Sequence, residues 1–138
     1  MQTIRLQTNR KEIAIERDGE NVGSIWFDPT DFGLLSRLEE VQRRIEAQDI
    51  DIPTGDARAM IEATRQLDQT LRGEIDYVFG EGTSEVVFGN TFTLGTHSGV
   101  SMLEQFLDGA AKYIEAEMQK ENKAAEKRQA KYSGKYKK

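Results

Sequence analysis

The 138 residues contain no cysteine, which excludes a disulfide scaffold, a thiolate zinc site, a thiol nucleophile and an iron–sulfur cluster. Histidine occurs once, at position 97, so a His-rich metal site is excluded, as is any Ser–His pair built away from that residue. No apolar run is long enough for a membrane span. The opening Met1-Gln2-Thr3-Ile4-Arg5 lacks the apolar core of a secretory signal. What remains is a charged chain, 31% Asp, Glu, Lys and Arg and 37% hydrophobic. A chain of this length buries ~68% of its unfolded surface and can build one core without metal or disulfide support.

The charge is divided unevenly. Residues 120–138 carry eight basic and two acidic side chains, whereas the preceding 119 carry 11 basic and 22 acidic ones. A basic tail on an acidic body can steer an acidic partner. The tail could hold nucleic acid in the same way, but the acidic body repels a phosphate backbone, which works against that role.

Periodicity predicts an α+β fold. Residues 3–8 and 12–16 alternate apolar and polar, and residues 22–27 read as a third strand after the turn signal Asp18-Gly19. The short links predict a three-stranded antiparallel meander whose Ile4, Leu6, Ile13, Ile15, Val22 and Trp26 share one face, covered by helices. Asp28-Pro29 is the expected start of a first helix, with Leu34, Leu35, Leu38, Val41 and Ile45 at helical spacing to about Asp49. A loop follows to Gly55. The second helix carries Met60, Ala63, Thr64, Leu67 and Leu71, and continues through Gly73 to about Phe79 because Ile75 and Val78 stay in phase. The glycine-rich segment 79–99 reads as turns around a short helical stretch from Thr83 to Phe88. Ser101-Met102-Leu103-Glu104 has capping-box spacing and opens a third helix whose stripe ends near Met118. Beyond it the apolar face disappears, which predicts a body over 1–118 and, over 119–138, an extended charged helix, a linker or a disordered tail.

Candidate chemistry fails on spacing. Gly80-Glu81-Gly82 begins a phosphate-loop pattern that requires glycine at position 85, where Glu85 stands. Asp49, Asp51, Gly55 and Asp56 suggest a calcium loop, but Pro53, Thr54 and Met60 occupy its fifth, sixth and twelfth positions. Nothing joins His97 to an acid and an oxyanion donor. The chain reads as non-enzymatic, without cofactor or metal. Phe79, Phe88, Phe92 and Leu94, spaced by glycines, have two readings: plugs sealing a helical layer, or an apolar patch that accepts a partner segment.

Residues 75–89, Ile-Asp-Tyr-Val-Phe-Gly-Glu-Gly-Thr-Ser-Glu-Val-Val-Phe-Gly, followed by Leu103-Glu104-Gln105-Phe106-Leu107-Asp108, resemble the tail assembly chaperones of long-tailed bacteriophages and prophages. So does Phe27-Asp28-Pro29-Thr30-Asp31 leading into a helix. The resemblance covers residues 1–118. It implies a small, acidic, helix-rich protein of the host bacterial cytoplasm, without enzymatic activity and absent from the mature virion. Its partner would be the tape measure protein, with the tail tube protein and self-association along the partner as further contacts. It also implies a longer product made by frameshifting, for which the lysines from Lys135 to Lys138 leave room. The competing class is a structural virion component, such as a head–tail joining or tail-completion protein. A nucleic-acid-binding regulator using the basic tail is the third.

Overall fold

Asp18 and Gly19 both adopt positive φ, 54° and 80°, the geometry a two-residue hairpin turn needs to match strand twist. They join β1 (Lys11–Arg17) to β2 (Glu20–Phe27) in an antiparallel ladder. The register slips at one point: Ile13 faces Ile25 and Ile15 faces Gly23, but Glu16 faces Asn21. Val22 is the extra residue of this bulge, and it reverses the phase read from simple alternation. The inward positions of β2 are therefore Ile25 and Phe27, while Trp26 points out beneath the Arg10 guanidinium, 5.2 Å from the ring centre. The expected face containing Val22 and Trp26 is corrected accordingly.

The computed structural model describes residues 1–48 and 53–136. It is α+β, with a two-stranded N-terminal sheet and four helices: α1 (Phe32–Ala47), α2 (Ala57–Phe79), α3 (Thr83–Phe88) and α4 (Met102–Tyr136). The meander has no third strand, because residues 1–10 form no ladder. A two-residue turn at Asn9-Arg10 would need positive φ, which neither residue adopts. Instead the Asn9 amide donates to Asp28 Oδ2 at 3.1 Å and its Nδ2 donates to Thr30 Oγ1 at 2.9 Å. These bonds tie the chain to the turn after β2 and leave Ile4 and Leu6 89% and 86% exposed.

Local chemistry sets the helix ends. The α1 cap is Asp31, which accepts from the Gly33 amide, so the helix starts three residues later than Asp28-Pro29 suggests. Asp28 is used in the turn, accepting from both the amide and the hydroxyl of Thr30. Asp56 caps α2, which runs unbroken through Gly73 to Phe79. Asp76 Oδ1 then accepts from the Ser84 amide at 2.8 Å, fixing α3 to the end of α2. A second hairpin, β3 (Thr96–His97) with β4 (Val100–Ser101), lies in the glycine-rich segment. Ser101 Oγ accepts from the Glu104 amide at the start of α4, as the capping-box spacing requires. This last helix continues past the end of its apolar stripe to Tyr136, the extended charged helix among the alternatives for this part of the chain. Asp49 and Asp51 of the acidic spacing, with Lys137 and Lys138 at the other end, lie outside the described residues.

The core is a line of edge-to-face rings. Phe27 meets Phe79 at 5.1 Å and Tyr113 at 6.0 Å; Phe106 meets Phe79 at 5.1 Å and Phe88 at 6.3 Å. Ile25, Leu34, Val41, Leu71, Ile75, Val78, Val87, Leu103, Ala110 and Ile114 complete it. Two arginines satisfy carbonyls at helix C-termini: Arg37 donates to the Val78 carbonyl, and Arg17 to those of Val86 and Val87.

Candidate functional site

The four residues singled out in the glycine-rich segment divide between core and surface. Phe79 and Phe88 are 4% and 0% exposed and form two of the core rings. Phe92 and Leu94 are half-buried in the loop after α3. That loop is fastened to α2. The Thr93 amide donates to Asp68 Oδ1 at 2.8 Å, and Arg72 donates to the Thr91 carbonyl at 2.7 Å and to Asp68 Oδ2 at 2.8 Å. Burial disfavours ionising Asp68, but the bonds from Thr93 and Arg72 outweigh it and hold the carboxyl below its ordinary 3.8.

The hydrogen bonds between α2 and α1 are Arg37 on the Val78 carbonyl, Tyr77 Oη donating to Glu40, and Arg44 donating to both carboxylate oxygens of Glu74. This antiparallel pairing brings the end of α1 level with about Leu71. All fully buried residues of α2 lie from Leu71 onward. Among the described residues, positions 57–66 hydrogen-bond only within their own helix and its cap. Met60 is 39% exposed and Ile61 57%. Ile61 lies two turns before Asp68 on the same side of the helix, the side on which the Phe92–Leu94 loop is fastened. Sequence periodicity places Met60 in a core stripe. The stripe is real, but the layer that would cover its outer end is not supplied by the described residues.

A second apolar surface lies at the sheet. A groove of about 700 Å³ separates β1 from α4. Six consecutive residues, Ile13 to Asp18, line one wall, so the groove follows the edge of the strand rather than one of its faces. The other wall is one face of α4: Met102, Gln105, Phe106, Gly109, Ala110 and Tyr113. Ile25, Phe27 and Val87 close its floor. His97 is on its rim. No sequence pattern points to this groove, because its two walls are almost ninety residues apart.

Among the described residues no group of three or more His, Asp and Glu side chains could hold a metal ion. No described helix is long and apolar enough to cross a membrane. The geometry defines an α+β domain with two open apolar surfaces, one helical and one beside a strand edge. The chain belongs to DUF6673, a family of unknown function, whose profile matches residues 21–138. No curated protein and no solved structure matches it.

Proposed function

We propose that the chain is a non-enzymatic phage tail assembly chaperone that binds the tape measure protein and keeps it soluble until the tail tube closes around it. The observation carrying this reading is the outer part of α2, where Met60 and Ile61 stand exposed on a helix that continues past its partner α1. A tape measure of the kind the resemblance implies is a long amphipathic helix with an apolar stripe. Such a stripe can pack against an exposed helix face through i, i+3 and i+4 contacts. Many weak copies along one filament then hold it by avidity. Phe92 and Leu94 extend this surface, whereas Phe79 and Phe88 support it from the core. The protein would act in the host cytoplasm and be missing from finished particles. The outer half of α4, residues 119–136, would project ~27 Å at ~1.5 Å per residue and serve as a spacer to a further domain in a frameshifted product.

Co-expression of the chain with tape measure fragments tests this reading. The intact chain should keep a fragment in the soluble fraction, and Met60→Asp/Ile61→Asp should lose that effect while the chaperone itself stays folded. Fragments equally insoluble with and without the chain would end the proposal. So would mass spectrometry finding the protein in purified virions, which would favour a structural component.

A further inference from the structure

Residues 3–8 alternate as a half-buried strand does, yet they pair with nothing among the described residues. Ile4 and Leu6 are almost fully exposed on a segment outside any helix or ladder. Aliphatic side chains at strand spacing without a partner mark a segment that buries itself on another surface. Its own β1 edge is not that surface, since the Asn9 bonds to Asp28 and Thr30 direct the segment elsewhere.

The groove along β1 has the complementary features. The sheet has two strands, and the β1 edge away from β2 pairs with no described residue. A strand edge offers unpaired backbone N–H and C=O groups that only an extended segment can satisfy in register. Two-stranded sheets are marginal and gain from a third strand. The side chains match as well. The inward residues beside the groove are Ile13 and Ile15, and the outward ones are Glu12, Ala14 and Glu16. A strand that places Ile4 and Leu6 inward beside Ile13 and Ile15 must place Arg5 outward. There it lies within reach of the Glu12 and Glu16 carboxylates as a cross-strand neighbour.

We infer that residues 3–8 of one copy of this chain add as a third strand to the β1 edge of a second copy, filling the groove between that strand and α4. Donor and acceptor are different surfaces of the same chain, so the contact repeats head to tail. It goes beyond the chaperone reading, uses none of the α2 surface assigned to the client, and requires no client to be observed.

Sedimentation of the full chain over a wide concentration range tests the inference. The wild-type mass should rise above the 15.6 kDa monomer with concentration. Ile4→Asp/Leu6→Asp, altering two exposed side chains, should remain at 15.6 kDa with an unchanged melting midpoint. Gly109→Phe should do the same by filling the groove, because a Cβ built at Gly109 has no atom within 4 Å. Mixing the two variants should restore one intact arm-and-groove pair and give a species of twice 15.6 kDa. The exposed pair Glu12→Lys/Glu16→Lys should weaken assembly of the otherwise intact chain, and adding Arg5→Glu should restore it. A wild type that stays monomeric at all concentrations overturns the inference. Undiminished assembly of the Ile4/Leu6 variant, or a variant mixture that remains monomeric, also overturns it.

Discussion

Replacing Phe88 by alanine removes a ring that is completely shielded from solvent, 6.3 Å from Phe106 and 5.8 Å from the Arg72 guanidinium carbon. The neighbours are anchored elsewhere: Phe106 by α4, Arg72 by Asp68 and the Thr91 carbonyl. They cannot collapse freely into the space, so the loss belongs in the ~3–5 kcal/mol range of buried aromatic truncations. Unfolding entropy near ~2.1 cal/mol/K per residue gives a chain of this size a shift of about 3–4 °C per kcal/mol. The melting midpoint should therefore fall by about 10–18 °C, read by calorimetry or by far-UV circular dichroism. Phe92→Ala, truncating a half-buried ring in the same segment, should lower it by less than half as much. A Phe88→Ala midpoint within ~4 °C of wild type would refute the reasoning, because a ring with no solvent exposure cannot be removed at that cost without a cavity that closes.

Asp28 and Asp68 both have carboxyls held below the ordinary 3.8, against the opposing effect of burial: Asp28 by Thr30, Asn9 and Lys11, Asp68 by Thr93 and Arg72. A depressed folded value gives stability that is fully present above the unfolded value and lost as pH falls through the folded one. The melting midpoint should thus fall more steeply below about pH 4, and Asp68→Asn should be less stable at neutral pH with a flatter acid limb in a melting series. Removing residues 120–138 should leave the midpoint unchanged, since side chains from Gln119 to Lys131 are all exposed; a drop of more than ~8 °C by calorimetry would show that this part of α4 contributes to the core.

Elements whose cause is local are legible in the order of residues alone. Asp18-Gly19 makes a turn because these two residue types tolerate positive φ, and Ser101 with Glu104 marks the start of α4 because their spacing matches the first helical turn. The continuation of α2 through Gly73 is readable from Ile75 and Val78 staying in phase. The ion pairs Glu39–Arg43, Glu40–Arg44 and Asp68–Arg72 follow from i,i+4 spacing alone.

Features that depend on residues far apart in the chain arise only in three dimensions. The alternation of residues 3–8 is as regular as that of β1, but a strand needs a partner edge, and Asp28 with Thr30 competes for Asn9 and carries the segment away from its own. The bulge at Val22 moves Trp26 outward because one extra residue reverses every later side chain. Sequence places Phe79, Phe88, Phe92 and Leu94 together between glycines, but does not say which are enclosed. That depends on Phe106 arriving from α4 to meet Phe79 and Phe88. The helices, the first hairpin turn and the division of charge rest on near neighbours in the chain, so the residue order suffices for them. Which apolar side chains are core, and which stand open at α2 and along β1, follows from the folded arrangement, because burial is settled by what packs opposite.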